Sequence, residues 1–535
     1  MTDEDGRSPN NPRRRRGDNP PAETPRGAGA YPEALRTFDG SSNNLDETQW
    51  GQAGQAFLRI VPTDYADGTS VPNGEDRPSA RWISAQLGAI AADGVPSPAS
   101  DLFWQWGQFI DHDLDLAPEV TPAEHFDIEV PAGDAWFDPQ GTGEVLLPLG
   151  RSSYVEQRGV REQINSITAY IDASHVYGSD LARARALRTL DGSGRLATSD
   201  GNLLPFNTAG LDNAAPSSAP AASFYLAGDF RANEQVGLTA MHTLFVREHN
   251  FQAARIRRED PTLSGDAVYE RARAFVAAEM QAITYREFLP LLIGPNALPD
   301  YDGYDDDVDA GISNIFATAA FRVGHSMVSG TFPRVGANGN EHPSGNLSLA
   351  EAFFTGPRLF AEHGIEPILR GLAGQRAQTI DLVIVDELRN FLFGPPGAGG
   401  LDLPALNIQR GREHGLPSYV AVRRALNLPP ARSLGAISED PSVVRALAAA
   451  YDGVEQVDAW VGMLAEPHRS GAMVGETMAR IIGDQFRRTR DGDRFWYERY
   501  LPNDLVEAVE DRSFADILRD HADVEAGAAA MRLGR

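Results

Sequence analysis

Apolar residues in this chain recur in steps of three and four and almost never in steps of two, a spacing that builds helices rather than sheets. Val268, Ala272, Phe275, Val276, Met280 and Ile283 fall on one helical stripe. Residues 443–464 and 472–486 repeat it through Leu447, Tyr451 and Val454, then Val474, Met478, Ile481 and Ile482. Alternation is scarce: "DLVIVDEL" at 381–388 is a short strand candidate, and a buried helix would read the same. The expected fold class is mainly α, a single large helical domain with long loops and little β. We place it at residues 35–535, because "PGAGG" (396–400) and "AAPSSAPAA" (214–222) are too short to be interdomain linkers. Residues 1–34, rich in Arg, Pro and Gly without apolar anchors, read as a disordered and solvated tail.

Charge and composition exclude several functions. A net charge of −27 speaks against nucleic-acid binding. No apolar run approaches the length of a membrane span. The absence of cysteine removes disulfides, thiolate metal sites, iron–sulfur clusters and cysteine nucleophiles together. Four arginines in the tail have no apolar stretch behind them, so neither a Sec nor a twin-arginine signal is expected.

The stretch "WQWGQFIDHDLDLAP" (104–118) sets a histidine between two aspartates among residues that belong in a core. Read as a helix, His112 lies about 40° to one side of Gln108 and Asp111 about 60° to the other, while Asp113 points about 140° away. One face offers an imidazole, an amide and a carboxylate to a pocket; the back offers a carboxylate to something else. A core histidine bonded to a nearby aspartate is the competing explanation. For the back face, "TAYIDAS" (168–174) supplies oxygens from Thr168, Asp172, Ser174 and the Tyr170 carbonyl at alternate positions, as a calcium loop does. Ordinary Asx and Ser/Thr turns look alike. The acidic run "YDGYDDDVDAG" (301–311) reads as a solvated loop.

Further polar residues sit in apolar settings. "GDFRANEQVGLTAMHTLFVREHN" (228–250) holds Arg231 and Glu234 ahead of a helix that carries His242 and His249 on one face. "GISNIFATAAFRVGHSMV" (311–328) reads as an almost wholly apolar helix that ends on His325, with Arg322 one turn before. A buried imidazole among small residues suits an axial ligand to a flat cofactor, or equally a satisfied core histidine. Asn407 and Arg410, in "LDLPALNIQRGREHGLPSY", could fix the imidazole tautomer and pair cofactor carboxylates.

Together these pieces resemble the animal-type haem peroxidases of the peroxidase–cyclooxygenase superfamily, the myeloperoxidase- and peroxinectin-like branch. The resemblance runs in order through "TFDGSSNN", "WGQFIDHDLD", "NSITAYIDASHVYGSD", "FRANEQ", "LTAMHTLFVREHN", "AFRVGH" and "LNIQRGREHGLPSY". It implies His112 as distal histidine, Arg231 as distal arginine and Gln108 at the edge of the distal pocket. It implies His325 as proximal iron ligand with Asn407 as partner, and Arg322 and Arg410 beside the propionates. Asp111 and Glu234 match acids that form ester links to haem, and Asp113, Thr168, Tyr170, Asp172 and Ser174 match a calcium site. The cofactors implied are haem b, open to ester linkage, and Ca2+.

The implied activity is reduction of hydrogen peroxide and oxidation of halide, thiocyanate or small aromatic donors through a ferryl intermediate. Two alternatives stay open: a fatty-acid dioxygenase on the same scaffold, and a non-catalytic calcium-dependent adhesion protein. Arg322 stands where the dioxygenase branch carries its radical-forming tyrosine, and none of the catalytic residues is lost. Gln235 stands where some members carry a methionine linked to haem, so chloride oxidation is not expected. A monomer is expected, working outside the cell by a non-classical export route rather than in the cytoplasm.

Overall fold

The computed structural model describes residue 31 and residues 34–90, 97–216, 219–527 and 530–533. The expected tail, residues 1–34, lies outside these apart from Tyr31 and Ala34. The fold is mostly helical, with strands confined to small antiparallel sheets. The largest places β5 (Val160–Asn165) between β1 (Gln55–Ala56) and β4 (Tyr154–Gln157), with Gln55 opposite Asn165 and Tyr154 opposite Gln163. Arg158 and Gly159 join β4 to β5 at φ 54° and 80°, the left-handed pair that a two-residue hairpin needs. The remaining pairs are β2 (Ile128–Glu129) with β3 (Leu146–Leu147), and β6 (Thr331–Phe332) with β7 (Leu347–Ser348). Among the described residues, no helix is long and apolar enough to cross a membrane.

The centre of the molecule is α1, Asp101–Leu114. Leu102, Trp106, Phe109, Ile110 and Leu114 are fully buried on one side of it, and Trp104, Gln105 and His112 are buried on the others. A helix buried on every side must be enclosed by other elements. Its enclosure includes α2 (Val236–Glu259) and the short α4 (Gly324–Met327). Its ring contacts extend to Phe245 and Phe514, and the Trp106 indole donates to Thr284 Oγ1 at 3.2 Å. The stripe from Val268 to Ile283 forms α3 (Gly265–Ile283), as its spacing predicts.

Three expectations are corrected. Residues 311–328 do not form one helix: a π turn over Phe316–Ala320 gives way to an irregular turn before α4. The widening is visible in the bond from Phe321 N to Phe316 O, 2.9 Å across five residues. Residues 443–464 break after Ala450, where Tyr451 is extended (φ −134°, ψ 143°) and "DG" begins a turn before the next helix, Ala459–Ala465. "DLVIVDEL" forms no strand; its end is the single helical turn Asp386–Arg389.

Candidate functional site

A cavity of about 490 Å³ opens against α1, inside the size range of cofactor sites. Gln108, Asp111 and His112 enter it from α1, Arg231 and Glu234 from the approach to α2. Arg322 and His325 come from the turn after Phe316–Ala320 and from α4, Asn407 and Arg410 from α5 (Leu403–Glu413). All nine side chains expected around the cofactor thus line one space. Phe103, Phe288, Phe321, Phe332 and Leu406 supply apolar wall between them.

His112 is buried and His325 half-buried, and both imidazoles stay neutral. Burial and the Arg231 guanidinium hold His112 well below its ordinary value; burial and Arg322 hold His325 at about 3. Among the described residues His112 makes no hydrogen bond, and its Nδ1 looks back at Asp229 Oδ1 across 3.7 Å. Asn407 holds His325, Nδ2 to Nδ1, at 2.8 Å. The amide oxygen, expected to accept the imidazole proton, instead accepts from Arg322 Nη1 at 2.8 Å. The guanidinium claims that oxygen, so the amide turns its N–H toward the ring.

Asp229 and Asp115 are functional neighbours that sequence reasoning missed. Asp229 takes Arg231 Nε and Nη2 at 2.8 Å each, and Arg231 Nη2 also reaches the Asp115 carbonyl at 3.1 Å. Burial would raise the Asp229 carboxyl, but the guanidinium outweighs it and holds the group ionised. The visible signal was the acid two residues before Arg231 in "GDFR". Gln235 was noted only for its difference from relatives. Here it caps α2 with Oε1, bonding Leu238 N at 3.1 Å, and its Nε2 grips Gln105 Oε1 at 2.7 Å and Gln108 Oε1 at 2.8 Å. Gly237 allows this approach, since a Cβ there would meet Gln105 Oε1 at 2.3 Å.

Behind α1, Asp113 meets the 168–174 loop. Its carboxylate accepts from Ser174 Oγ at 2.8 Å and from the backbone N–H of Asp172 and Ala173 at 3.0 and 2.9 Å. Thr168 Oγ1 lies 3.1 Å from Asp172 Oδ2 and 3.4 Å from Ser174 Oγ. Tyr170 shares the loop and sends its hydroxyl to Trp50 O at 2.8 Å. Burial, then the charge of Asp113, pushes Asp172 up to about 7. Ala173 sits at φ 61°, a left-handed conformation that bends the loop around these oxygens.

His242 and His249, on one helix face, meet different neighbours. His249 is satisfied by the Tyr177 hydroxyl and Gly194 O, each at 3.0 Å, whereas His242 faces His175 with 5.7 Å between ring centroids. The acidic run 301–311 is a loop with Asp305, Asp306 and Asp307 exposed.

Haem fits the cavity on the chemistry of its donors. His325 Nε2 has no protein partner among the described residues once Asn407 holds Nδ1. The Asp111 and Glu234 carboxyls make no hydrogen bond there either; burial, outweighing the Arg231 guanidinium, pushes them up to about 6 and about 7. Arg322 has no carboxylate partner among the described residues, and burial and neighbouring Arg410 lower its pKa. Such a pair of guanidiniums calls for anionic groups between them.

Residues 35–531 match the animal haem peroxidase family. The chain is 35% identical to peroxinectin A of Dictyostelium discoideum over 91% of this chain and 93% of that one. It is 37% identical to myeloperoxidase of Mus musculus over 87% of this chain and 71% of that one. In fold it is similar to peroxidase A from D. discoideum, with a TM-score of 0.87, 33% identity, and coverage of 94% and 100%. It shares fold alone with the fatty acid alpha-dioxygenase of Arabidopsis thaliana, at a TM-score of 0.76 and 20% identity over 93% and 83% of the chains. The chain belongs to the animal haem peroxidase family and is a haem-dependent peroxidase.

Proposed function

We propose that the protein reduces hydrogen peroxide with His112 as acid–base group and oxidises halide, thiocyanate or small aromatic donors. The observation that carries the proposal is one cavity walled by two neutral imidazoles, a guanidinium and two unbonded carboxyls. Bound haem supplies storage for the peroxide's two oxidising equivalents and their delivery to a donor. His112 takes a proton from the peroxide on Nε2 and gives it to the departing oxygen, which leaves as water. A neutral ring can do this; a protonated one cannot. Arg231, pinned by Asp229 through Nε and Nη2, keeps Nη1 for the negative charge that develops as the O–O bond breaks. Gln108, its carbonyl oxygen held by Gln235, borders the space where water or an anionic donor sits.

His325 would hold the iron through Nε2, which requires its proton on Nδ1. That in turn requires the Asn407 amide to present oxygen, and Arg322 to release it. Propionates beside Arg322 and Arg410 supply the reason for Arg322 to turn away. Asp111 and Glu234 are the residues for ester links, their carboxyls raised by burial and without competing bonds. Asp113, Thr168, Tyr170, Asp172 and Ser174 would hold Ca2+, whose charge relieves the buried carboxylate pair. Phe353 and Phe393, which meet edge to face at 4.9 Å on the cavity wall, suit an aromatic donor.

The test separates the two histidines. In His112→Ala the haem should remain bound while reaction with peroxide slows by about two to four orders of magnitude. In His325→Ala the Soret absorption should shift or be lost. Near-normal peroxide reactivity in His112→Ala defeats the assignment.

A further inference from the structure

A second cavity, of about 210 Å³, shares no lining residue with the first. Its wall carries Tyr285, Tyr301, Trp496 and Tyr497. Aromatic rings join the two spaces. Phe321, on the wall of the large cavity, lies 5.4 Å from Phe486, centroid to centroid; Phe486 lies 5.8 Å from Tyr285, and Tyr285 lies 4.7 Å from Trp496. The π turn Thr284–Phe288 spans both, with Phe288 lining the large cavity and Tyr285 the small one. Such turns recur at functional sites.

The rings differ in what can take their protons. The Tyr285 hydroxyl donates to the Phe486 carbonyl at 2.6 Å, which cannot accept a proton outright. The Trp496 indole donates to a carboxylate, Glu498 Oε1, at 3.2 Å. The Tyr301 hydroxyl is buried with no partner among the described residues. Flat aromatic walls, a volume suited to a single small ring, and the polar side chains of Arg286, Asp300 and Glu498 on the same lining together describe a seat for a phenol.

We propose that this cavity is a second donor site, where a small phenol is oxidised by Trp496 rather than inside the haem cavity. The inference rests on the peroxidase reading above. Trp496 gives one electron, through Tyr285, Phe486 and Phe321, to the peroxide-oxidised haem centre, and its indole proton passes to Glu498. A phenol in the cavity then gives one electron to the oxidised indole, and Glu498 returns the proton to the indole nitrogen. The phenol's own proton goes to water, and a phenoxyl radical departs. Two phenols restore the centre after each peroxide.

The experiment uses haem-loaded protein and its Trp496→Phe, which keeps an aromatic ring in the core. After peroxide is added without donor, rapid-freeze electron paramagnetic resonance should show a tryptophan radical in the parent that is lost in Trp496→Phe. The kcat/KM for phenol should fall at least about tenfold in the variant, while iodide oxidation stays unchanged. Leu298→Trp, which fills the cavity from its rim, should keep the radical but stop phenol from quenching it. Absence of a protein radical in the parent, or equal phenol kinetics in Trp496→Phe, overturns the proposal. Failure of the parent to oxidise iodide overturns the peroxidase reading instead.

Discussion

Single residues here act through what they leave unbonded. Asp229 illustrates the opposite case, since it takes two of the Arg231 guanidinium nitrogens. Asp229→Asn should leave haem binding intact and slow O–O cleavage by about ten- to a hundredfold, because an amide cannot hold both guanidinium nitrogens. Stopped-flow kinetics with peroxide measures this, and an unchanged rate would remove Asp229 from the site. Asp101 is the clearest pH probe. Burial pushes its carboxyl up to about 7, against about 3.9 in an unfolded chain. The folded state therefore holds the proton more tightly, and stability falls as pH rises from about 4 through about 7. Asp101→Asn keeps the oxygen that accepts from Gln375 Nε2 at 2.6 Å and should flatten that slope. Thermal melts at pH 5 and pH 8 should converge in the variant and differ in the parent.

At the scale of elements, the sequence revealed what lies within a segment and hid what another segment imposes. The face that α1 divides among Gln108, His112 and Asp111 was legible, because helical angle depends only on spacing. The segment before His325 was not. Its small apolar residues fit a continuous helix, yet the chain widens at Phe316–Ala320 and lets Arg322 Nε bond Ala317 O at 3.1 Å. Thr318, in the same turn, is tied to His414 Nδ1 at 2.8 Å, a partner far along the chain. The bonds of Gln235 were hidden for the same reason, as its amide contacts come from α1. Helices α2 and α3 are clamped near the C-terminus by Arg512, whose nitrogens pair with Glu248 at 2.6 Å and Glu279 at 2.9 Å, both carboxylates fully buried. Arg512 also meets Asp520 at 2.9 Å in α6 (Phe514–Ala522). Arg512→Ala leaves Glu279 buried without a cation and Glu248 with His521 as its remaining basic partner, and should destabilise the protein by about 3–5 kcal/mol. Chemical denaturation would read this directly, and a loss below about 1 kcal/mol would show the clamp to be dispensable.

The whole molecule was legible in outline because its motifs lie far apart in sequence but converge on one helix. Their convergence also couples the proposed ion to the fold. Removing calcium with a chelator should lower the melting temperature, and Asp172→Asn should both lower it and abolish the chelator's further effect. An identical melting curve with and without chelator in the parent would argue that the loop holds no ion. Asp111, His112 and Asp113 are consecutive on α1, and each looks to a different neighbour: the large cavity, Asp229 and the 168–174 loop. A rigid rod cannot turn one of them without turning all, so a disturbance at the loop reaches the peroxide chamber as a rotation. A substitution in the 168–174 loop should therefore be felt on the opposite side of the rod, at Asp111 and His112.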